Sequence, residues 1–577
     1  MNPLLTRVRR YFGLGLKARD FPLNLAFPRI SDRLKPSHGS ATNLMRQLDE
    51  AKEAPAEYLG VLLAVIKHLN RCAMKPQQRL ALTRDVLNLC YPVAQAQIAK
   101  HAKTGGVPED EERKLALTRL VEITTILIIS FQILFDGYYR GNNFRYARAH
   151  TVVQECASRI FELMILKQQA CALRYQVLEP RDWRAVNTLF YVMSIYEDVE
   201  RAFPTLQKLL QQGGARSAAS LREQFAVLHI VAKFDMLRWP AHLQWVISNY
   251  VYGVENAAPV RVAVDGAPGR DELVAHCYGE KAAGLPLQNP PAPALLIDCR
   301  NLKEAIRKDC MGLVDSKKRH DAAAMPPRFA RFREADHLVI SDQLVRGLGN
   351  AEVDECVETE TSVYDLRIFV GFSEVFDLLH HQQGEFASED RLADTLAKRS
   401  ARIAEDHLAT ARSTWSLLFR DDKMLRLSTQ ETRFTTGMNI GSLLAYGLGE
   451  NINRPSLAVV VRIFRPSSRE VIIDLQSIAH YAEQVLMTVN AAQQSATGAR
   501  HGRAALLLFD KSSLGGWGLM FQPQDVLPGI DQIVVHRKQR ELTIALGSRC
   551  NVTHDFHLYA TSLTSANLGI SGEPSYP

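Results

Sequence analysis

Two short polar segments in the C-terminal third carry side chains whose types and spacing suit an anionic ligand. In "RPSSR", Arg465 and Arg469 stand four residues apart, and in "FDKSSLGGWGLMF", Asp510, Ser512 and Gly515 spell Asp-x-Ser-x-x-Gly. A guanidinium is a planar, permanently charged fork that can meet phosphate oxygens, or guanine O6 and N7, in a bidentate manner. An Asp accepts hydrogen bonds, and a Gly lets the backbone turn close to a ligand. These five residues are a candidate ligand site, with a solvated hairpin turn as the alternative.

Other reactive side chains show no spacing that predicts catalysis or metal binding. His380 and His381 are adjacent and would point in different directions from a helix. His554 and His557 would fall on opposite faces of a strand. The chain has no Gly-x-x-x-x-Gly-Lys-Ser/Thr phosphate loop, and "GFSEV" lacks the second Gly of a nucleophile elbow. We predict a non-enzymatic protein without catalytic residue, metal or cofactor.

The cysteines favour a reducing cytoplasm. There are nine of them, an odd count with irregular spacing, and no two form a Cys-x-x-Cys pair. We therefore expect free thiols at Cys72, Cys90, Cys156, Cys171, Cys277, Cys299, Cys310, Cys356 and Cys550.

Composition and charge are those of a multidomain globular protein. A chain of 577 residues is too long for one core and predicts roughly three or four domains. The net charge of +7 comes without a long Lys/Arg run, which does not favour a nucleic-acid binder. The N-terminal "MNPLLTRVRRYFGLGLKARDF" lacks the apolar core of a signal peptide. We predict a cytoplasmic protein, with peripheral contact to an anionic membrane as the alternative for this basic segment.

The most apolar stretch, residues 120–135, is too short to predict a membrane span. It has 16 residues, including Glu122 and Gln132, whereas a span needs about 20 apolar residues. We predict a buried helix of a bundle, and no transmembrane segment.

The hydrophobic periodicity changes along the chain and predicts an α+β multidomain fold. Apolar positions recur at three- and four-residue spacing between 40 and 256, which indicates seven or so stacked helices. The later runs, such as "SLAVVVRIFRP" and "AALLLFD", are short and β-rich, although 478–494 is predicted to be a helix. The predicted divisions are a basic N-terminal segment at 1–39, an all-α helical domain at 40–256, a mixed α/β segment at 257–385, a helical linker at 386–413, a small antiparallel β-barrel at 414–495 and a β-rich C-terminal extension at 496–577.

The order of these pieces resembles a group of proteobacterial proteins that join a long helical N-terminal region to a C-terminal PilZ-like barrel. "LLAVIKHLNRCAMKPQQRLALTRDVLNL" looks like the opening helical hairpin of that group, and "WRAVNTLFYVMSIYE" looks like its later Trp-containing helix. "RIFVGFSEVFDLL" is similar to the strand and helix before its barrel. PilZ domains are receptors for cyclic di-GMP, so the resemblance implies this nucleotide as the candidate ligand.

Two placements of the PilZ ligand motif compete. If the barrel begins at Trp415, the strand order fits but the family turn falls on Phe419, Asp421 and Met424, and the upstream arginines do not form Arg-x-x-x-Arg; they are Arg399, Arg402 and Arg412. In the second placement, Arg465 and Arg469 supply the arginine pair, and Asp510, Ser512 and Gly515 supply the turn. Its motif letters agree, but the interval between the two parts is long.

The resemblance implies a bacterial regulatory receptor or adaptor in cyclic di-GMP signalling, with a role in motility or pilus control. The alternative is a degenerate PilZ-like scaffold that makes protein contacts without binding nucleotide. In both cases a protein partner is expected to dock on the helical domain, because stacked helices offer broad grooves. No nucleic-acid partner is predicted.

Overall fold

The protein, described by a computed structural model, forms two compact units. The first unit contains most of the chain up to Asp354, and the second contains most of it from Glu355 onward, together with Gly106–Pro108 and Leu237–Pro240. The structure describes residues 46, 55–103, 105–106, 110–140, 147–196, 199–206, 218–254, 258–263, 268–269, 271–284, 293–319, 325–329, 337, 340–341, 344–345, 362–383, 412–421, 423–431, 437–448, 455–489, 503–510, 516–525, 532–537 and 540–563.

Helices fill the N-terminal part of the first unit, which confirms the predicted helical region. Pro stands at the first position of three of them, where its missing N–H costs nothing and its fixed φ suits the helix. Ser220 and Glu223 form a reciprocal capping box at the start of another. In the described residues the helices are α1 (Pro55–Arg71), α2 (Pro76–His101), α3 (Glu111–Arg140), α4 (Ala147–Leu173), α5 (Pro180–Tyr196), α6 (Leu221–Lys233) and α7 (Ala241–Tyr252). A ribbon of β1 (Ala202–Pro204) and β2 (Ala218–Ser220) precedes α6.

Aromatic packing and one buried ion pair hold these helices together. Phe190 of α5 stacks on Phe225 of α6 with ring centroids 4.1 Å apart, and Phe161 of α4 meets both rings edge-on. Lys167 of α4 and Asp182 of α5 form an ion pair at 2.8 Å in the interior. These contacts fix α4 as the central element of the bundle.

The apolar helix α3 packs along α1 and α4. Its stretch Glu111–Tyr138 is long and apolar enough to cross a membrane, and 50% of its most apolar window is buried inside the protein. Buried core helices also pass this test of length and composition, so α3 remains weak support for a membrane span.

A small antiparallel sheet and a long helix follow in the first unit. The sheet has the order β3-β5-β4, with β3 (Val260–Ala263), β4 (Glu272–His276) and β5 (Ala294–Asp298). The strand predicted from "VRVAVD" is β3. Helix α8 (Arg300–Arg319) begins two residues after β5 and packs its apolar side chains Leu302, Ile306 and Leu313 inward.

The second unit holds two closed antiparallel six-stranded barrels. The strands of barrel one are β6 (Ser362–Val370), β7 (Arg412–Arg420), β8 (Met424–Gln430), β9 (Leu443–Leu448), β10 (Ser456–Phe464) and β11 (Glu470–Ala479), with α9 (Phe372–Gln383) after β6. The strands of barrel two are β12 (Ala482–Val489), β13 (Arg503–Asp510), β14 (Gly516–Phe521), β15 (Gln532–Arg537), β16 (Arg540–Val552) and β17 (His557–Leu563).

The two barrels have the same topology. Around barrel one the order is β6-β7-β8-β11-β10-β9, and around barrel two it is β12-β13-β14-β17-β16-β15. In both, the first, second and third strands are adjacent and are followed by the sixth, fifth and fourth. The second unit is therefore a tandem of one barrel topology, a repeat that its amino-acid sequence does not reveal.

Several predicted domain boundaries are wrong, because the β-rich part of the chain contains two barrels where the sequence predicted one. Barrel one begins at Ser362 rather than at 414, and β6 and α9 belong to it rather than to the mixed segment. The helix predicted at 478–494 is instead the end of β11 followed by β12, and the region 496–577 supplies five strands of barrel two. Of the predicted linker at 386–413, residues 412 and 413 lie in β7, and the rest lies outside the described residues, as does the basic segment 1–39.

Helix α9 lies in an apolar core that both barrels share. Gly371, with φ of +95°, turns the chain from β6 into α9, and glycine adopts this backbone conformation without strain. Phe372 and Phe376 of α9 pack with Leu443 and Leu457 of barrel one and with Leu506, Leu508, Met520 and Leu558 of barrel two. The Asp555 carboxylate, from the β16–β17 loop, accepts the N–H of Phe372 at 3.1 Å and that of Leu443 at 2.9 Å. Barrel two is thereby fastened to barrel one.

Candidate functional site

Arg465 is a structural residue of barrel one. Its side chain is only 1% exposed and forms a bidentate pair with Glu431, with Nε and Nη2 each 2.9 Å from a carboxylate oxygen. Nη2 also donates to the carbonyl of Gly106, in the same unit, at 2.7 Å. The planar fork that the motif would present to a nucleotide therefore faces a carboxylate of the protein.

Arg469 lies four residues later in the hairpin between β10 and β11, and its side chain is exposed. Its backbone carbonyl accepts the N–H of Glu431 at 2.6 Å, and its N–H donates to the Ser467 hydroxyl at 3.4 Å. The hairpin thus places one arginine of the predicted pair inside the barrel wall and the other in solvent.

The predicted turn lies in the other barrel. Asp510 is the last residue of β13 and pairs across the hairpin with Gly516, the first residue of β14. Gly516 has a φ of +151°, which favours glycine. Ser512 and Gly515 lie outside the described residues. The structure therefore assigns the arginine pair to barrel one and the Asp510 hairpin to barrel two.

Asp421, the turn residue of the other placement, lies at the equivalent hairpin of barrel one. It follows β7 as Asp510 ends β13, so both candidate turns join the second and third strands of a barrel. One Asp421 carboxylate oxygen accepts the N–H groups of Lys423 and Met424 at 2.7 and 2.6 Å. This carboxylate caps its own turn, as Asp does in many short loops. Both placements thus matched a real barrel hairpin.

Barrel two follows barrel one after a connection of only two residues. Its first strand begins at Ala482, and only His480 and Tyr481 separate it from the last strand of barrel one. This two-residue connection contains no arginine. The nearest upstream arginines, Arg465 and Arg469, belong to the preceding hairpin instead.

The histidines and cysteines assemble no further site in the described part of the chain. No cluster of three His, Cys, Asp or Glu side chains there could hold a metal ion. His554 lies in the β16–β17 loop and His557 begins β17, so they do not share a strand as the sequence suggested. The eight described cysteines are free thiols, and Cys356 lies outside the described residues. Burial raises the pKa of the Cys299 thiol to about 12 and that of Cys310 to about 11, which disfavours the nucleophilic thiolate.

Sequence reasoning missed one surface feature on α8. Arg307, Met311, Val314 and Lys318 recur at helical spacing on its outer side and are all exposed, Met311 by 56% and Val314 by 44%. We call these four residues the α8 strip. Neither Arg307 nor Lys318 forms an ion pair with another residue that the structure describes. The sequence could have revealed this feature, because Met311 and Val314 are two apolar residues on the otherwise polar side of an amphipathic helix.

Comparisons of the chain with models of protein families, with curated proteins and with solved structures give no match.

Proposed function

We propose that the protein is a non-enzymatic regulatory adaptor of the bacterial cytoplasm, in which two PilZ-like barrels act as a scaffold that does not bind cyclic di-GMP through Arg465. The PilZ identity rests on the sequence resemblance, and the six-stranded antiparallel barrels are compatible with it. Of the two functions that the resemblance implies, the geometry favours the scaffold.

The observation that carries this proposal is the buried pair of Arg465 and Glu431. A nucleotide could recruit the Arg465 fork only after both charge-assisted bonds to Glu431 were broken, and each such bond contributes roughly 1.5–3 kcal/mol. The Glu431 carboxylate, whose side chain is 10% exposed, would then be left without its cation. Removing one partner of a buried pair typically costs about 3–5 kcal/mol, which would consume much of the roughly 8 kcal/mol of a micromolar affinity.

Calorimetric titration with cyclic di-GMP tests this proposal. At about 100 μM ligand, well above the micromolar scale, we expect no heat of binding to the full-length protein. The variants Arg469→Ala and Asp510→Ala should also give no heat of binding, and both should be as well folded as the wild type. Saturable binding to the wild type that either variant weakens tenfold or more would overturn the proposal.

The α8 strip is the surface on which we expect a protein partner to dock. Two apolar side chains lie between two exposed cations, so the complementary surface is an apolar residue flanked by carboxylates. Met and Arg are enriched at protein interfaces. In this proposal the partner docks on α8, whereas the sequence analysis expected it on the helical domain at 40–256.

A cyclic di-GMP receptor is the second candidate function. The exposed Arg469 guanidinium favours it, because it can donate to a ligand, and the sequence motif adds Asp510 of the barrel-two hairpin as the second group. The receptor requires both groups to reach the same ligand from different barrels. The titration above separates it from the scaffold, because the receptor predicts losses of roughly ten- to a hundredfold on replacing Arg469.

A further inference from the structure

The four residues of the α8 strip are spaced as along the contact line of a coiled coil. Arg307, Met311, Val314 and Lys318 follow one another at intervals of four, three and four residues, an alternation that matches the a and d positions of a heptad repeat. Between the first and the last of them a helix advances about 16 Å, or roughly three turns. The strip is therefore a straight row with an apolar pair at its centre and a cation at each end.

Contacts on its inner side hold α8 in place in the first unit. The Asp309 carboxylate accepts the Tyr250 hydroxyl at 2.9 Å and forms an ion pair with Arg328 at 2.8 Å. Gly312 lies so close to Pro326 that an added Cβ would come within 2.9 Å of the proline ring. A partner would thus meet a preorganised surface, and its binding would cost little conformational freedom of α8.

The backbone of α8 favours a helical partner over an extended one. An extended peptide binds chiefly by adding a strand to an exposed sheet edge, where its backbone N–H and C=O groups find partners. Within α8 those groups bond to each other. A partner helix satisfies its own backbone, and it can place side chains along the strip at the same four- and three-residue intervals.

The charges around the strip determine the polarity of such a helix. From Arg307 onward α8 exposes four cations but one carboxylate: Arg307, Lys308, Lys318 and Arg319 against Asp315. Carboxylates on a partner would meet these cations, and apolar side chains between them would cover the apolar pair of the strip. We propose that the partner contributes an acidic amphipathic helix, which packs along the α8 strip. This inference rests on the docking surface of the proposed function and names the class of its partner.

An anionic membrane is the competing interpretation of a basic, partly apolar helix face. Within α8 only Met311 and Val314 are exposed apolar residues, and Glu304 and Asp315 are exposed beside them. An anionic lipid surface would repel these carboxylates, whereas a protein helix can place a cation or a neutral side chain opposite each of them. The observations thus favour a protein helix, and membrane binding becomes an outcome of the test.

Fluorescence anisotropy with the full-length protein tests the proposal with three labelled peptides. The first is a capped acidic peptide of three heptads, with Leu at the a and d positions, Glu at the e and g positions, and Ala and Gln elsewhere. The second has Lys in place of Glu, and the third breaks the acidic helix with proline. At up to about 100 μM protein, we expect the acidic helix to bind at least tenfold more tightly than either of the others. No binding of the acidic helix, or equal binding of either of the others, would overturn the proposal.

Charge reversal connects this binding to the α8 strip. The double variant Arg307→Glu/Lys318→Glu should weaken binding of the acidic helix at least tenfold and should bind the basic helix instead. The matched control is Arg71→Glu/Lys75→Glu, which changes the net charge equally at two exposed positions outside α8. Because salt screens distant surface charges, this control should change binding by no more than about twofold. Equal losses in the two variants, or no loss in the first, would contradict the site.

Two further measurements separate the remaining outcomes. In sedimentation with phosphatidylglycerol vesicles, binding that the strip variant abolishes would assign the strip to a membrane and overturn the proposal. If the acidic helix does not bind but a photo-crosslinked adduct at Met311 depends on Arg307 and Lys318, docking through the strip stands and the helical class of the partner is wrong. Absence of both the adduct and the peptide binding would contradict the docking surface itself.

Discussion

At the scale of single residues, two buried groups show how the interior accommodates titratable side chains, Lys167 as one partner of an ion pair and His229 as a neutral ring. Lys167 and Asp182 lie 2.8 Å apart and are nearly inaccessible, with side chains 3% and 8% exposed. His229 is the neutral counterpart. Its Nδ1 accepts the N–H of Ala283 at 2.8 Å, and its ring packs against Trp183 and Phe225. Burial lowers the pKa of His229 to about 3.

His229 should therefore make the stability of the first unit depend on pH. The unfolded chain binds a proton at His229 near pH 6.5, whereas the folded chain resists it until about pH 3. The contribution of neutral His229 is fully present above pH 6.5 and is lost as the pH falls, at up to about 1.4 kcal/mol per pH unit. Urea unfolding between pH 7 and pH 5 should show this loss in the wild type and a smaller loss in His229→Gln. Equal slopes for the two proteins would contradict the burial of a neutral ring.

At the scale of elements, α8 has two faces with different tasks. Leu302, Ile306 and Leu313 hold it to the first unit, while the α8 strip faces solvent. Because the strip contributes nothing to the core, its apolar pair has no structural explanation within the described chain. This is the feature that the adaptor proposal uses for docking.

Site-specific photo-crosslinking in living bacteria tests the α8 strip. A benzoylphenylalanine at Met311 should give a protein adduct, and the double charge reversal Arg307→Glu/Lys318→Glu should remove it. The matched control is Leu115, an apolar residue of α3 with 52% exposure against 56% for Met311. An adduct that survives the charge reversal, or one that forms equally at Leu115, would speak against docking through the strip.

The core around α9 makes a second prediction at the scale of elements. Phe376 is 2% exposed and belongs to the apolar cluster that unites both barrels. Phe376→Ala should destabilise the second unit by about 3–5 kcal/mol, because it leaves a cavity in that shared core. Hydrogen exchange should rise in peptides from β8 and from β14 alike. A rise confined to one barrel would show that the two do not depend on a common core.

At the scale of the whole molecule, the sequence predicted the helical and the β-rich halves correctly but missed the tandem. Strands were visible as short apolar runs, yet the pairings that close each barrel, such as β6 with β9 and β8 with β11, join residues far apart in the chain. The segment "YAEQVLMTV" contains good helix formers, Ala, Glu, Gln, Leu and Met. It nevertheless forms β12, because its pairing with β13 and β15 outweighs local propensity.

The candidate ligand site was ambiguous in the sequence because there are two barrels. Each placement of the motif matched the hairpin between a second and a third strand, one at Asp421 and one at Asp510. The role of Arg465 could not be predicted from its neighbours in the sequence, since its partner Glu431 lies 34 residues earlier. Only the barrel brings the two together.

The scaffold proposal depends most directly on Arg465 being part of the wall of barrel one. Two single substitutions, one at Arg465 and one at Arg469, test this. Native-state hydrogen exchange of β8, β10 and β11 in the full-length protein gives the local free energy of opening. Arg465→Met should lower that free energy by about 3–5 kcal/mol, because Glu431 is left buried without its cation. Arg469→Met, at an exposed position of the same hairpin, should change it by no more than about 0.5 kcal/mol. Equal, small effects of the two substitutions would show that Arg465 is available to a ligand and would contradict the account.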